Sequence, residues 1–224
     1  MRLGDPPAGE RALPGVEVHA RPDAVWVRSV APLRVLASAV AGGELDAARH
    51  VLNMHVPRGY VSSDPAGDLR AFARRLGIAE PFVGLMTAAW THQARIVSEE
   101  VDGIRVLAIA TVGLGAPVAA GVTAPVAWQP STINVIAVLD ARLERAAAVN
   151  GVITLTEAKV GALTEAGIVT AEGVPATGTV TDAVVLAWTG RGRLVPYLGP
   201  GTPAGFGLAR AVRQAVLDGT PRSA

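Results

Sequence analysis

Apolar and polar positions alternate with period two along VEVHAR (16–21) and AVWVRSV (24–30), on either side of Arg21-Pro22-Asp23. Side chains of an extended chain point to opposite faces in turn, so the pattern predicts a hairpin of two half-buried strands. LRVLASAVAGG (33–43) continues the apolar run to a glycine pair, and LDAARHVLNMHV (45–56) fits a helix as well as a strand. Beyond this the period changes. Asp64 precedes PAGDLRAFARRLG, with proline at the first helical position, apolar residues at 69, 72, 73 and 76, and Gly77 as the stop, which predicts a helix. VGLMTAAW (83–90) predicts a buried strand, and ARIVSEEVDGIRVLAIATVG (94–113) predicts two antiparallel strands about Asp102-Gly103.

In the second half, STINVIAVLDA (131–141) is strand-like, and LERAAAV (143–149) starts a helix that Asn150-Gly151 is expected to interrupt. LTEAKVGALTEAG (155–167) resumes the helical pattern, with Thr154 and Glu157 spaced as a capping box. TDAVVLAWTG (181–190) predicts a final buried strand and GFGLARAVRQAVLDG (205–219) a terminal amphipathic helix. No repeat or internal linker divides the chain. The expectation is an α+β (layered α/β) fold with a mixed, mostly antiparallel sheet and packed helices: a flexible lead over 1–15 and a single domain over 16–219.

Composition narrows what such a fold does. With 224 residues, 50% hydrophobic and 17% charged, the chain can bury one sizeable core and is not disordered. Lys+Arg 20 against Asp+Glu 19, without arginines interleaved with aromatics, argues against a nucleic-acid partner. The absence of cysteine excludes disulfides, thiolate metal sites and a cysteine nucleophile, and fits a reducing compartment such as the cytoplasm. The N-terminus has no apolar run of the signal-peptide kind. Val106 to Leu139 carries no charge and exceeds the roughly 20 residues of a membrane span. Pro117, Pro125 and Pro130 with Gly113, Gly115 and Gly121 break it, however, so it reads as buried strands joined by an apolar loop, with no membrane partner.

One cation stands apart, because Lys159 is the sole lysine among the 20 basic residues. Lysine offers a compact ammonium and a removable proton that arginine does not, so a lone lysine is a candidate for chemistry, while chance survival on a solvated helix face is the bland alternative. In an extended ATGTVTD (176–182), Thr177, Thr179 and Thr181 would line one face and Gly178 would let a ligand approach the backbone; an edge strand rich in threonine is the structural alternative. Asp182 opens an apolar strand and is a candidate base, or else closes an Asx turn. Glu157 lies about 200° around a helix from Lys159 and is a cap on the other reading. Asn134, among apolar strand residues, must find partners, in loop backbone or in a ligand. There is no G-x-x-x-x-G-K-[ST], H-E-x-x-H or G-x-S-x-G, and His50 and His55 lack metal-ligand spacing, so no metal site is expected.

The ordered set GLMTAA (84–89), TINVIAVLDARL (132–143), TEAK (156–159), ATGTVTDAVVLA (176–187) and YLG (197–199) resembles the adenosylcobinamide amidohydrolases of archaeal and bacterial corrinoid salvage. SAVAGG (38–43), Asn53 and Tyr60 look like the same family, so the likeness runs from about residue 30 onward. It implies cleavage of the amide that joins the corrin ring to its aminopropanol arm, giving adenosylcobyric acid, with the corrinoid as substrate and no resident cofactor. For that reaction the residue inventory offers Asp182 or Glu157 as base, Lys159 as charge or proton source, and Asn134, Thr132, Thr177 and Thr179 as groups that position the amide, joined by Thr181 and Thr87; a threonine nucleophile stays open. The charge-free segment would suit a pocket wall for a large amphipathic ring. STIN stands for the family's GTIN, Val180 where glycine is common, and Gly201 where relatives carry histidine. A corrinoid-binding homologue without hydrolysis and a small-molecule-binding domain unrelated to corrinoids are the alternatives, and self-association is left open.

Overall fold

The computed structural model describes residues 10–78, 81–125 and 131–221. Its first half holds β1 (Glu10–Leu13), β2 (Val16–Ala20), β3 (Ala24–Ala37), β4 (Ala47–His55), α1 (Pro65–Arg75), β5 (Phe82–Thr87), β6 (Arg95–Val101), β7 (Ile104–Val112) and β8 (Pro117–Val118). The second half holds β9 (Ile133–Leu139), β10 (Arg142–Leu143), α2 (Arg145–Glu165), β11 (Gly178–Thr179), β12 (Ala183–Trp188), β13 (Leu194–Val195) and α3 (Pro203–Gly219). Nine strands form one mixed sheet, in the order β1-β2-β3-β12-β9-β7-β6, with β4 and then β5 added on the other edge of β3. Only β4–β5 and β9–β12 pair parallel within it.

Strand β3 makes this sheet double back. Its first half pairs with β2 and β4, its last residues pair with β12, and the register shifts between Arg28 and Leu33. The period-two burial shows the result as layers. On β4, Val51 packs between the two halves of the sheet while Leu52 and Met54 face α1. On β7, Leu107 and Ile109 point into the inter-sheet core while Val106 and Ala108 meet α2 and α3. Helix, sheet, sheet and helix pair are therefore stacked in four layers, and β4, β7, β9 and β12 are covered on both faces. That double cover explains why VLNMH and INVIAVL read as apolar throughout rather than alternating.

The hairpins at Arg21-Pro22-Asp23 and Asp102-Gly103 form, the latter with Asp102 at φ 53° and Gly103 at φ 72°. Asp64 caps α1 by accepting from the Gly67 amide at 2.9 Å. Residues 45–56, open between helix and strand, are strand over Ala47–His55. The stretch expected to be flexible contains β1, paired with β2 over Glu10–Leu13.

Two expectations for α2 are corrected. The helix runs unbroken through Asn150-Gly151. A Cβ on Gly151 would lie 2.4 Å from Leu198 Cδ2 and 2.9 Å from Leu186 Cδ2, so this glycine is where the helix presses closest to the sheet. The Asn150 side chain accepts from the Leu198 amide at 3.0 Å. Nor is there a capping box at Thr154 and Glu157. Thr154 is buried mid-helix, where its hydroxyl donates to Leu198 O at 2.8 Å, and Glu157 is exposed.

Candidate active site

At one end of the sandwich the inter-sheet rows turn from apolar to polar. On β4 the row passes from Val51 to Asn53, on β5 from Leu85 to Thr87, on β7 from Ile109 to Thr111, and on β9 from Ile136 to Asn134. Period two places these four polar side chains on the face that the core occupies one step earlier. Burial obliges them to pair. Asn134 Nδ2 donates to Asn53 Oδ1 at 3.0 Å and Met86 O at 2.8 Å, and Asn53 Nδ2 donates to Thr111 Oγ1 at 2.9 Å. Asn134 Oδ1 accepts from Thr132 Oγ1 at 2.9 Å. Thr87 Oγ1 accepts from the Ala89 amide at 3.1 Å.

On the helix side of the same strand ends, Lys159 points from α2 into the protein and is 6% exposed. Its ammonium pairs with Asp182 Oδ2, while Asp182 Oδ1 accepts from the Ile133 amide at 2.9 Å and lies in hydrogen-bond contact with Thr179 Oγ1. Gly178 makes the room: a Cβ there would stand 2.3 Å from Asp182 Oδ2 and 2.7 Å from Lys159 Nζ. The segment Ser131-Thr132 runs between the amide cluster and the ion pair. The Ser131 carbonyl accepts from Thr179 Oγ1 and Thr181 Oγ1, each at 2.8 Å, and Thr132 Oγ1 lies 2.7 Å from Thr181 O.

Two cavities open on this segment. One, of about 230 Å³, is walled by Val40, Val56, Tyr60, Leu85 and Met86 with the hydroxyls of Thr87 and Thr181. The other, of about 470 Å³, is walled by Arg58, Trp90, Gln93 and the run Val112 to Gly115. Ala88, Ser131 and Thr132 line both, so Thr132 sits on the ridge where they meet. At the smaller cavity Tyr60 donates to Asp68 at 2.7 Å; partial burial first, and that bond second, push its hydroxyl above the ordinary phenol value.

The structure thus gathers Lys159, Asp182, Thr179, Thr181, Thr132 and Asn134, with Thr87 on the wall of the smaller cavity. It leaves two expected members apart. Glu157 is on the exposed side of α2, as a 200° offset from Lys159 requires. Thr177 does not share a wall with Thr179 and Thr181: it precedes the two-residue β11, and its Oγ1 accepts from the Ala120 amide at 2.9 Å, whereas Thr179 and Thr181 both donate to the Ser131 carbonyl. Asp182 forms no Asx turn of its own loop but caps the entry of β9. Gly178 makes room for the chain's own ion pair, where the sequence suggested a ligand. Thr111 and the Met86 carbonyl carried no sequence signal, and Ser131 stood in STIN without a role of its own; Asn53, flanked by apolar residues in VLNMH, carried the same signal as Asn134. Among the described residues, no group of three or more His, Asp or Glu is placed to hold a metal ion, and no helix is long and apolar enough to cross a membrane.

Gly201, where the resemblance puts a histidine, lies far from this cluster. Its neighbours Thr202 and Pro203 share a cavity with Asp102 of the β6–β7 turn. That turn adjoins the Leu139 end of β9, whereas Asp182 caps Ile133 at the other end. Six residue steps of strand separate the two ends, about 20 Å. The missing histidine therefore removes nothing from the Lys159–Asp182 cluster.

A four-layered α+β domain with a buried ammonium–carboxylate pair beside a cleft has the parts of a hydrolase for a bond that needs proton transfer. The profile of the adenosylcobinamide amidohydrolase family matches residues 10–223, and the chain belongs to that family of amide hydrolases. An adenosylcobinamide amidohydrolase of Methanosarcina mazei is 29% identical over 181 residues, covering 76% of this chain and 82% of the relative. Another from Halobacterium salinarum is 40% identical over 114 residues, 48% of this chain and 46% of the relative. Among solved structures, the PH0078 protein of Pyrococcus horikoshii OT3 aligns with TM-score 0.49 and 15% identity over 98% of this chain and 89% of its own.

Proposed function

We propose that this chain hydrolyses the amide between the corrin ring of adenosylcobinamide and its aminopropanol arm, giving adenosylcobyric acid and 1-aminopropan-2-ol in corrinoid salvage. The observation that carries the reading is the ridge at Thr132, open to a cavity on each side and backed by the buried Lys159–Asp182 pair. An amide lying across that ridge places a substituent in each cavity. The corrinoid is then substrate rather than resident cofactor. The cytoplasm is the compartment this reading assigns, supported by a chain without cysteine.

Hydrolysis forms a C–O bond from water to the amide carbon and breaks the C–N bond, so one proton must pass from water to the departing amine. In this reading Lys159 and Asp182 carry that proton, with the Thr179 hydroxyl between Asp182 Oδ1 and the Ser131 carbonyl, while Thr132, oriented by Asn134 Oδ1, positions the amide on the ridge. Glu157, exposed on another side of α2, has no part in it. The test is to incubate the purified chain with adenosylcobinamide and follow 1-aminopropan-2-ol by mass spectrometry. Release by the wild type, lost in Thr132→Ala and Lys159→Met variants that still fold, supports the reading. Corrinoid binding with no amine released by the wild type overturns it.

A further inference from the structure

The two cavities differ in size and chemistry, although they share Ala88, Ser131 and Thr132. No charged side chain lines the 230 Å³ cavity among the described residues, and it offers apolar walls with a few hydroxyls. Its volume is below the roughly 300–1,000 Å³ of sites that enclose a whole drug-sized ligand, so it suits a fragment of a few heavy atoms. Val40, 43% exposed, stands at its wall. The 470 Å³ cavity is broader, with glycines at 113 and 115 that keep side chains out of the way. Trp90 forms one side, 54% exposed yet held in place: its ring stacks on His55 at 4.6 Å and 19°, and His55 Nδ1 lies 3.0 Å from Ala89 O. A pre-positioned aromatic face binds a flat ligand without first losing rotamer freedom. Beside it, Gln93 and Arg58 offer donors for amide carbonyls, and Arg58 has no partner among the described residues.

We propose that these cavities divide the substrate at its scissile amide, which rests on the hydrolytic reading above. The aminopropanol arm, a methyl and a hydroxyl on a short chain, enters the smaller cavity past Val40. One edge of the corrin, with its peripheral amides, lies on Trp90 over the larger one. Val40 then sets the size of leaving amine that is accepted, and Trp90 sets affinity for the ring.

Adenosylcobyric acid, which has the ring but lacks the arm, separates the two halves. Val40→Trp narrows the smaller cavity from a partly exposed position, and should lower kcat/KM for adenosylcobinamide at least about tenfold while leaving the Kd for adenosylcobyric acid unchanged. Trp90→Ala should weaken adenosylcobyric acid about tenfold, read by visible absorbance, and leave inhibition by free 1-aminopropan-2-ol unchanged. Val40→Trp weakening adenosylcobyric acid, or Trp90→Ala leaving it untouched, overturns the division. Wild-type protein that releases no amine overturns the hydrolytic reading instead, a result read before either variant is made.

Discussion

Lys159, on α2, reaches the carboxylate of Asp182 at the entry of β12, and the two meet with their side chains 8% and 13% exposed. Both charges are out of water, so each depends on the other. Lys159→Met leaves Asp182 buried without its cation and should cost about 3–5 kcal/mol in denaturant unfolding, while the further change Asp182→Asn should recover part of that loss. Lys159→Arg keeps the charge but needs space that Gly178 and Asp182 already occupy, so turnover should fall at least about a hundredfold. Undiminished turnover in the arginine variant would remove Lys159 from the mechanism.

The backbone at Gly178 is the third wall of that pair. Its φ is not in the left-handed region, so conformation alone does not demand glycine there. Space does. An alanine Cβ would meet Asp182 Oδ2 at 2.3 Å and Lys159 Nζ at 2.7 Å, and one of the two must move. Gly178→Ala should therefore reduce kcat about a hundredfold, the scale of a displacement near 1 Å. It lies on a two-residue edge strand, so the melting temperature should change far less than in Lys159→Met. Equal loss of stability in both variants would contradict a role confined to the pair.

Much of this arrangement was legible in the chain. Turn chemistry at Asp102-Gly103, the cap at Asp64 and the apolar runs of β5, β7, β9 and β12 all report local energetics, and each formed as the pattern predicts. Lys159 stood out as the sole lysine beside nineteen arginines, and Asn134 because an amide among apolar strand residues must find partners. What the pattern could not show depends on contacts far apart in sequence. The β4 run is apolar on both faces, which removes the period that separates strand from helix. Asn150-Gly151 resembles a helix stop, yet the packing of Leu198 and Leu186 against Gly151 overrides that local preference. Thr177 is drawn away from Thr179 and Thr181 by the Ala120 amide, a partner 57 residues distant that no local pattern reveals.

In an exposed helix Gly151→Ala would gain about 1 kcal/mol from reduced backbone freedom. Here the added methyl would sit 2.4 Å from Leu198 Cδ2 and 2.9 Å from Leu186 Cδ2, inside a core at full density. Overpacking of this kind costs about 1–3 kcal/mol, so the variant should be less stable than the wild type by chemical denaturation. A stabilised variant would mean that α2 can shift away from the sheet without cost.

His50 sits on β4 opposite Arg28, and its Nδ1 is buried without a hydrogen-bond partner among the described residues. Burial first, then the positive charges of Arg28 and Arg49 and the neighbouring His19, hold its pKa below the ordinary 6.5. The folded protein thus binds the His50 proton less readily than the unfolded chain does. Stability rises with pH wherever the unfolded state binds more protons, so this contribution is complete above about 6.5. It declines as pH falls below that value and stops changing once the pH is under the folded-state pKa. Denaturation midpoints measured from pH 8 to pH 5 should therefore fall on the acid side for the wild type, and fall less for His50→Gln, which has no proton to gain. Parallel curves for the two proteins would show that His50 is free to protonate in the folded state.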